Sequence, residues 1–286
     1  MTTEPCWPDP LHFSHVYHGE TRHYRSKLFP RDLPGVTSVL KVLGLATEGL
    51  IKWSADTERL AVLEAAQTVY ESIAPGHAYQ QGEFARAVEM HIGPARANEK
   101  LKQKGQDIGS EIHDHIEWQL LREMGEVRPE PEIRDEALLA SMAFEENWRD
   151  SGLQIIRVEQ PIWHVEHLYA GTIDQVVMCP RRGLGLRDMK SSKGVFLEMH
   201  LQLAAYVEAA RSHGFDIQWA EFVRLPKRLD DPILRDGGVE IRALGDCREW
   251  DNKKRCYIER KRTQEGLFRA FRAALVAWMA LQPEDA

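Results

Sequence analysis

The amino-acid sequence predicts an α+β fold, in which a helical N-terminal half packs on a small mixed β-sheet flanked by helices. Two observations lead to this prediction. From residue 36 to residue 150, apolar residues recur at the spacing of amphipathic helices. After Ser151-Gly152, the pattern changes to short apolar runs typical of strands, interrupted by one helical segment. We therefore expect a mainly helical region, 1–150, and a sheet-containing region, 151–286, within one compact unit.

The N-terminal half should contain mostly helices. Its predicted elements are a short hairpin or irregular strands over 11–34, a short helix ending at Gly44, a helix over 47–74, helical segments over 79–125 with breaks near Gly93 and Gly105, and a helix over 132–150. Thr37 or Ser38 is placed to cap the short helix through its hydroxyl group. In the helix that follows, Trp53, Leu60 and Leu63 are candidates for the buried face.

The C-terminal half should supply the sheet. Its predicted elements are strands over 153–163, 168–178 and 185–191, a helix over 196–213, a strand over 217–225, a weaker strand over 239–244, and a long helix over 249–281. The strand that contains Gly183 and Gly185 is less apolar than a buried strand usually is, so its register is not fixed by its own pattern.

Composition excludes several classes of protein. The net charge is −7, so a nucleic-acid partner would require a local basic groove and not a basic chain. The four cysteines form no CxxC pair, which argues against a zinc ribbon or a closely spaced iron–sulfur site. No apolar run approaches the length of about 18 to 20 residues that spans a membrane, and the N-terminus lacks the apolar stretch of a signal peptide. We expect a soluble, cytoplasmic protein with reduced thiols.

One helix and one hairpin carry the candidate chemistry. His113 and Glu117 lie four residues apart beside the apolar stripe of the segment 105–124, so they share one line on the helix surface. In the C-terminal half, Asp188 and Lys190 point to the same side of a predicted strand. If the two strands around Cys179–Gly183 pair as a hairpin, Asp174 comes level with Asp188. Two carboxylates beside an amine suit a hard divalent cation. A hairpin with solvated charges is the alternative, and it is the commoner fate of a lone Asp-x-Lys.

The order of several motifs resembles that of a known nuclease superfamily. The motifs are His113, Gly171-x-x-Asp174, Asp188-x-Lys190 and Gln202-x-x-x-Tyr206, together with the segments 34–40, 50–53, 109–113 and 158–161. Taken together, they are similar to the PD-(D/E)XK nucleases, and more narrowly to the RecB-type exonuclease branch that includes phage exonucleases and the mitochondrial genome maintenance exonuclease. This resemblance implies a restriction-endonuclease-like core.

The resemblance implies a role for each matching residue. Asp174 and Asp188 would bind the metal through their carboxylates, and Met189 through its backbone carbonyl. Lys190 would be the catalytic lysine, and His113 would be a ligand or a gate above the metal. The residues implied in supporting roles are Gln202 and Tyr206, which would contact DNA or orient Lys190, and Glu117 and Glu159, which would stand behind the ligands. Glu159 could equally be a structural hydrogen-bond acceptor.

The resemblance also implies a cofactor and a substrate. The metal would be Mg²⁺ or Mn²⁺, and no iron–sulfur cluster is expected, because the cysteines that bind one in some relatives are missing here. The activity would be hydrolysis of DNA from a free end, with a single strand as the expected substrate, in replication, recombination or repair in a bacterial or phage-infected cell. A single-strand-binding protein or a recombinase would be a fitting partner. The alternatives are a structure-specific endonuclease on the same core and a catalytically silent DNA-binding module.

Basic residues near these motifs are candidates for contacts with DNA phosphates. The ones we select are Lys104, Arg181, Arg182 and Lys193. Further basic residues occur at 100–102, 224–228 and 253–262, and about half of all of these should simply be solvated. Trp53, Tyr79 and Trp118 are candidate platforms for stacking bases, although burial in the core is the commoner fate of an aromatic residue.

Overall fold

The structure, a computed structural model, describes residues 5–19, 21–44, 48–73, 82–93, 96–228, 230–236, 238–251 and 256–282. It confirms the mixed α+β class. The helices are α1 (Val36–Leu40), α2 (Glu48–Glu71), α3 (Glu83–Ile92), α4 (Ala97–Glu123), α5 (Asp135–Ser151), α6 (Leu197–Ser212) and α7 (Gln264–Ala280). The strands are β1 (Ser14–His18), β2 (Thr21–Arg25), β3 (Leu33–Pro34), β4 (Gln154–Trp163), β5 (Ala170–Cys179), β6 (Gly183–Lys190), β7 (Trp219–Arg224), β8 (Glu240–Ala243), β9 (Asp246–Asp251) and β10 (Cys256–Lys261). None of the helices in these ranges has the combined length and apolar character that a membrane crossing needs.

The chain divides into two compact units, Met1–Leu43 with Gly109–Ala286 and Gly44–Ile108. In the second unit, α2 and α3 pack through Ala65, Val69 and Val88. The prediction that Leu60 and Leu63 are buried is wrong, since these side chains are 58% and 55% exposed. The reason is that α2 meets α3 with the face that carries Ala65 and Val69, and the leucines lie on other faces of the helix.

A five-stranded sheet forms the centre of the first unit. Its strand order is β4-β5-β6-β7-β8, with β6 and β7 parallel and the other neighbours antiparallel. Parallel neighbours require a crossover, and α6 supplies it. This helix is almost entirely buried, and it contacts α1, α7, β4 and β5. A smaller sheet, β1-β2-β3, comes from the predicted N-terminal hairpin, and a backbone bridge joins Gly35 to Ala170 at the start of β5.

The glycines of β6 are explained by the neighbouring strand. Gly185 pairs with Trp219 of β7, and a Cβ atom on this glycine would lie 2.1 Å from Cε2 of the Trp219 ring. The indole therefore occupies the space that a side chain would need. Arg182 covers the other part of the same ring, with its Cζ 3.6 Å from the ring centroid. The low apolar content of β6 thus reflects the Trp219 ring, which packs across the backbone of this strand. The register of β6 is set by its pairing with both neighbouring strands, β5 and β7.

The long C-terminal helix predicted over 249–281 is wrong in its first part. Strands β9 (Asp246–Asp251) and β10 (Cys256–Lys261) pair in antiparallel orientation, and Trp250 pairs with Tyr257. Helix α7 begins only after Thr263, whose side-chain oxygen accepts a hydrogen bond from the N–H of Gly266 at 3.1 Å. Charged residues dominate 246–262, so no apolar stripe distinguishes a helix from a hairpin there.

Two smaller predictions about helices are also wrong. Gly105 does not interrupt α4, because a single glycine costs a helix only about 1 kcal/mol and a long helix tolerates it. The residue that caps α1 is Gly35, and neither Thr37 nor Ser38 has this role. The Ser38 hydroxyl instead bonds to the backbone of Arg22 on β2.

Candidate metal centre

Three carboxylates lie in a row across three adjacent strands of the central sheet. Pairing of β4 with β5 sets Val158 opposite Gln175 and Gln160 opposite Ile173, which brings Glu159 level with Asp174. Pairing of β5 with β6 sets Gln175 opposite Arg187, so the next position brings Asp174 level with Asp188. The hairpin predicted from the two strands is therefore present. The backbone N–H of Met189 donates to Asp174 Oδ2 at 2.7 Å, which fixes this carboxylate against β6.

Helix α4 brings His113 to two of these carboxylates. Its Nδ1 lies 3.8 Å from Asp174 Oδ2 and 3.9 Å from Glu159 Oε1. One ligand atom from each of His113, Glu159 and Asp174 lies within 4.8 Å of the other two, a spacing that allows all three to bind one metal ion. Sequence reasoning placed Glu159 behind the ligands, whereas the structure brings its carboxylate into the cluster itself.

The backbone of Glu159 is unusual for a residue within a strand. Its φ is +46°, in the left-handed region that residues other than glycine rarely adopt. Such a conformation costs on the order of 1–3 kcal/mol and tends to occur at functional sites. The Glu159 side chain remains one-third exposed, so a ligand can reach it from solvent.

Asp188 and Lys190 form a buried ion pair beside the cluster. Both project from the same face of β6, and Lys190 Nζ lies 2.6 Å from Asp188 Oδ2. Asp188 is 1% exposed, and its other oxygen, Oδ1, has no hydrogen-bond partner. Burial of a carboxylate oxygen without a hydrogen-bond partner costs free energy, so we expect a cation or a water molecule to bind this atom.

Burial makes the acids of the site weaker. It raises the pKa of Asp188 to about 6; the charge of Lys190 opposes this rise, and the neighbouring Asp174 adds to it. Burial also raises the pKa of Asp174, although the charge of His113 opposes the change. These carboxyl groups therefore hold protons more tightly than carboxyl groups in water do.

The same acids make the bases of the site stronger. Burial by itself would lower the pKa of His113, but the charges of Asp174 and Glu159 outweigh it and raise the pKa to about 8. Burial would also lower the pKa of Lys190, and Asp188 and Asp174 raise it above its usual value. At neutral pH both groups are thus positively charged, and they balance the negative charge of the carboxylates.

Gln202 and Tyr206 are held together on α6, next to β5. Gln202 Nε2 donates to the Tyr206 hydroxyl at 2.8 Å, and Tyr206 is 1% exposed. A Cβ atom on Gly171 would lie 2.2 Å from Tyr206 Cε1, so the glycine of the Gly-x-x-Asp motif makes room for this ring. Their predicted action on DNA or on Lys190 stays a prediction, and the contact that the structure gives is the one between the two side chains.

Two further residues from the sequence prediction have contacts of their own. The Met189 side chain is buried, and its sulfur lies 3.2 Å from Gln175 Nε2. The use of the Met189 carbonyl as a metal ligand stays a prediction. Glu117 forms an ion pair with Arg128 at 3.2 Å, and burial raises the pKa of this carboxyl group. The carboxylate of Glu117 is thus committed to a partner outside the metal-binding cluster.

The predicted DNA-binding residues differ in how available they are. Arg181 and Lys193 are exposed. Arg182 forms an ion pair with Glu221 at 2.9 Å and packs over the Trp219 ring, so its guanidinium is already engaged in contacts within the protein. Lys104 is exposed and belongs to the second unit. The residues of the wider prediction that lie outside the described ranges are Tyr79, Lys253, Lys254 and Arg255.

Comparison with known proteins does not identify this chain. No known family model matches it, and no curated protein matches it either. The resemblance to the nuclease superfamily therefore rests on the sequence motifs alone.

Proposed function

We propose that this chain is a divalent-metal-dependent deoxyribonuclease that hydrolyses phosphodiester bonds from a DNA end, built on a restriction-endonuclease-like core. One observation carries the proposal. Glu159, Asp174 and Asp188 stand level on three adjacent strands, with Lys190 paired to the last of them. Maintaining three neighbouring acids in a largely buried place is unfavourable without a cation, and a binding module without turnover has no need of it.

The donor set supports Mg²⁺ or Mn²⁺ as the ion. His113, Glu159 and Asp174 would hold it, and the unpartnered Oδ1 of Asp188 is the next available oxygen. Carboxylate oxygens suit both ions, and Mn²⁺ accepts an imidazole ligand more readily than Mg²⁺ does. When bound, the ion neutralises charge on the phosphate oxygens and makes water a better nucleophile.

Lys190 is the residue best placed to act on the reacting phosphate. Its raised pKa keeps the ammonium group protonated at neutral pH, so it acts as a cation and not as a general base. A positioned cation stabilises the negative charge that develops on the phosphate during attack by water. The ion pair with Asp188 keeps this charge at the end of β6 before substrate arrives.

The proposal is tested with end-labelled single- and double-stranded DNA in Mg²⁺, in Mn²⁺ and in EDTA. The variants are Asp174→Ala and Lys190→Ala, and Asp216→Ala, which removes an exposed aspartate, is the matched control. We expect the first two variants to lose about 100-fold or more in rate, as the loss of a group that stabilises transition-state charge does. If both degrade DNA as fast as the wild type, the assignment is wrong.

Closed circular DNA separates the two nuclease modes. An enzyme that needs an end degrades linear DNA and leaves covalently closed circles intact, whereas cleavage of circles indicates the endonuclease alternative. DNA binding without cleavage in either metal ion indicates the catalytically silent module. Calorimetry with Mn²⁺ complements this test, because a chain that binds no divalent ion at millimolar concentration cannot use the proposed centre.

A further inference from the structure

The N-terminal segment 34–40 holds one arginine in place through its backbone. The N–H of Arg22 donates to Ser38 Oγ at 2.8 Å, and the Ser38 hydroxyl donates to the Arg22 carbonyl at 2.9 Å. The N–H of Gly35 donates to the same carbonyl at 3.0 Å, and a Cβ atom on this glycine would lie 2.7 Å from that oxygen. The glycine and the serine thus fix the position of Arg22 on β2.

The side chain of Arg22 has no acidic partner, in contrast to its neighbour on the strand. Arg25 pairs with both oxygens of Asp32. Within the described residues, no carboxylate lies within ion-pair distance of the half-buried Arg22 guanidinium, and its Nε is buried without a hydrogen-bond partner. A partly desolvated guanidinium whose buried Nε donor has no partner is energetically costly to maintain, unless an anion binds the group.

Arg22 lies near Tyr24, whose hydroxyl group reaches the face of β5 that carries Asp174. Its Cζ is 5.5 Å from the centroid of the Tyr24 ring. The Tyr24 hydroxyl bonds to Thr172 Oγ1 at 3.0 Å, and Thr172 lies two positions before Asp174 on β5, on the same face of the sheet. Burial raises the pKa of Tyr24 and of Tyr206, and the charge of Arg22 opposes this rise at both hydroxyl groups, so the guanidinium is near both.

We infer that Arg22 binds a phosphate group of the DNA strand whose scissile bond lies at the carboxylates. The inference rests on the proposed function. Three carboxylates repel a phosphodiester, and Lys190 is already paired with one of them. A guanidinium offers two parallel N–H donors to one phosphate, which sets orientation as well as charge. Gly35 and Ser38 are then positioning residues, since they act on the substrate only through Arg22.

Binding experiments in EDTA test this inference without relying on turnover. Fluorescence anisotropy of a labelled single-stranded oligonucleotide is measured over a series of salt concentrations for wild type, Arg22→Ala and Arg22→Gln. We expect both variants to bind about tenfold or more weakly, and the slope of log K against log salt to become shallower by about 0.7, the contribution of one phosphate contact. Arg22→Lys should keep the slope and recover part of the affinity.

Arg25→Ala is the matched control, because it removes the same charge from the same strand and should leave the slope unchanged. Arg22→Gln keeps the size of the side chain, so it remains informative if the alanine variant fails to fold. If the wild type cleaves DNA and the Arg22 variants bind it with unchanged affinity and slope, this inference is overturned and the proposed function stands. If the wild type binds DNA with a salt slope that depends on Arg22 but cleaves no DNA in Mg²⁺ or Mn²⁺, only the proposed nuclease activity is overturned. No binding by the wild type in EDTA at low salt overturns this inference, and the proposed function is then judged separately by cleavage in Mg²⁺ or Mn²⁺.

Discussion

Replacing Asp188 by asparagine should stabilise the protein at neutral and alkaline pH in the absence of divalent ions. Asp188 is 1% exposed, and burial raises its pKa from the usual 3.8 to about 6 even with Lys190 beside it. Since the pKa in the folded state lies above the unfolded value, folding favours the protonated acid. The contribution to stability is complete below about pH 4 and is lost as the pH rises through about 6.

The size of the effect follows from that difference in pKa. At about 1.4 kcal/mol per pH unit, ionisation of Asp188 costs the folded protein about 3 kcal/mol. Asparagine resembles the protonated acid in shape and carries no charge. Asp188→Asn should therefore gain up to about 3 kcal/mol in free energy of unfolding at pH 8, and nothing near pH 4.

Urea unfolding in EDTA at pH 4, 6 and 8 measures this gain. The matched control is Asp216→Asn, an exposed aspartate, which should give the same difference from wild type at all three pH values. The denaturant slope should be unchanged, so that a shift of the midpoint reports stability. If Asp188→Asn is less stable than wild type at pH 8, the ion pair with Lys190 outweighs the cost of burial, and the reasoning about the site's charge is wrong.

Three further predictions concern other parts of the site. His113 has a pKa of about 8 and must lose a proton to bind a metal ion. The affinity for Mn²⁺, measured by calorimetry, should therefore fall about 50-fold from pH 8 to pH 6. The variant His113→Gln should show a weaker dependence of this affinity on pH. Ser38→Ala leaves the backbone N–H of Arg22 without its partner, so urea unfolding should show a loss of about 1–3 kcal/mol; an unchanged midpoint would show that the Ser38 hydroxyl does not hold Arg22 in place. Gly171→Ala forces a methyl group against the Tyr206 ring and should cost about 1–3 kcal/mol, of which Tyr206→Leu in the double variant restores part.

The fold was predictable where the apolar pattern is strong. Strands β4, β5 and β6 and helix α6 lie within about two residues of their predicted bounds, because buried elements show their periodicity clearly. The sequence predicts a helix where β9 and β10 pair, because the charged residues there favour neither period and the pairing depends on a partner strand. Likewise, Leu60 and Leu63 indicate an amphipathic helix, but only a tertiary contact decides which face is covered.

The candidate site was predictable in its residue types more than in its geometry. Asp174 and Asp188 come level because the strands that carry them are joined by a short hairpin, which the sequence shows. The place of Glu159 depends on the register of β4 and on a left-handed φ, and neither can be read from the chain. Arg22 carries no recognisable sequence signal, because the residues that fix it bind to its backbone and would do so for any side chain.

Motif residues that take no part in the reaction should still affect activity, because they hold other residues in position. Gly35 leaves room for the carbonyl of Arg22, and Gly171 leaves room for the Tyr206 ring. Neither glycine has a side chain that could take part in the reaction, yet each allows a close approach between neighbouring elements. An error of about 1 Å in the position of a reacting group can cost about 100-fold in rate. The spacing between these small residues and the acids is therefore a requirement of packing, and loss of activity in a glycine variant would identify a displaced group and not a missing catalyst.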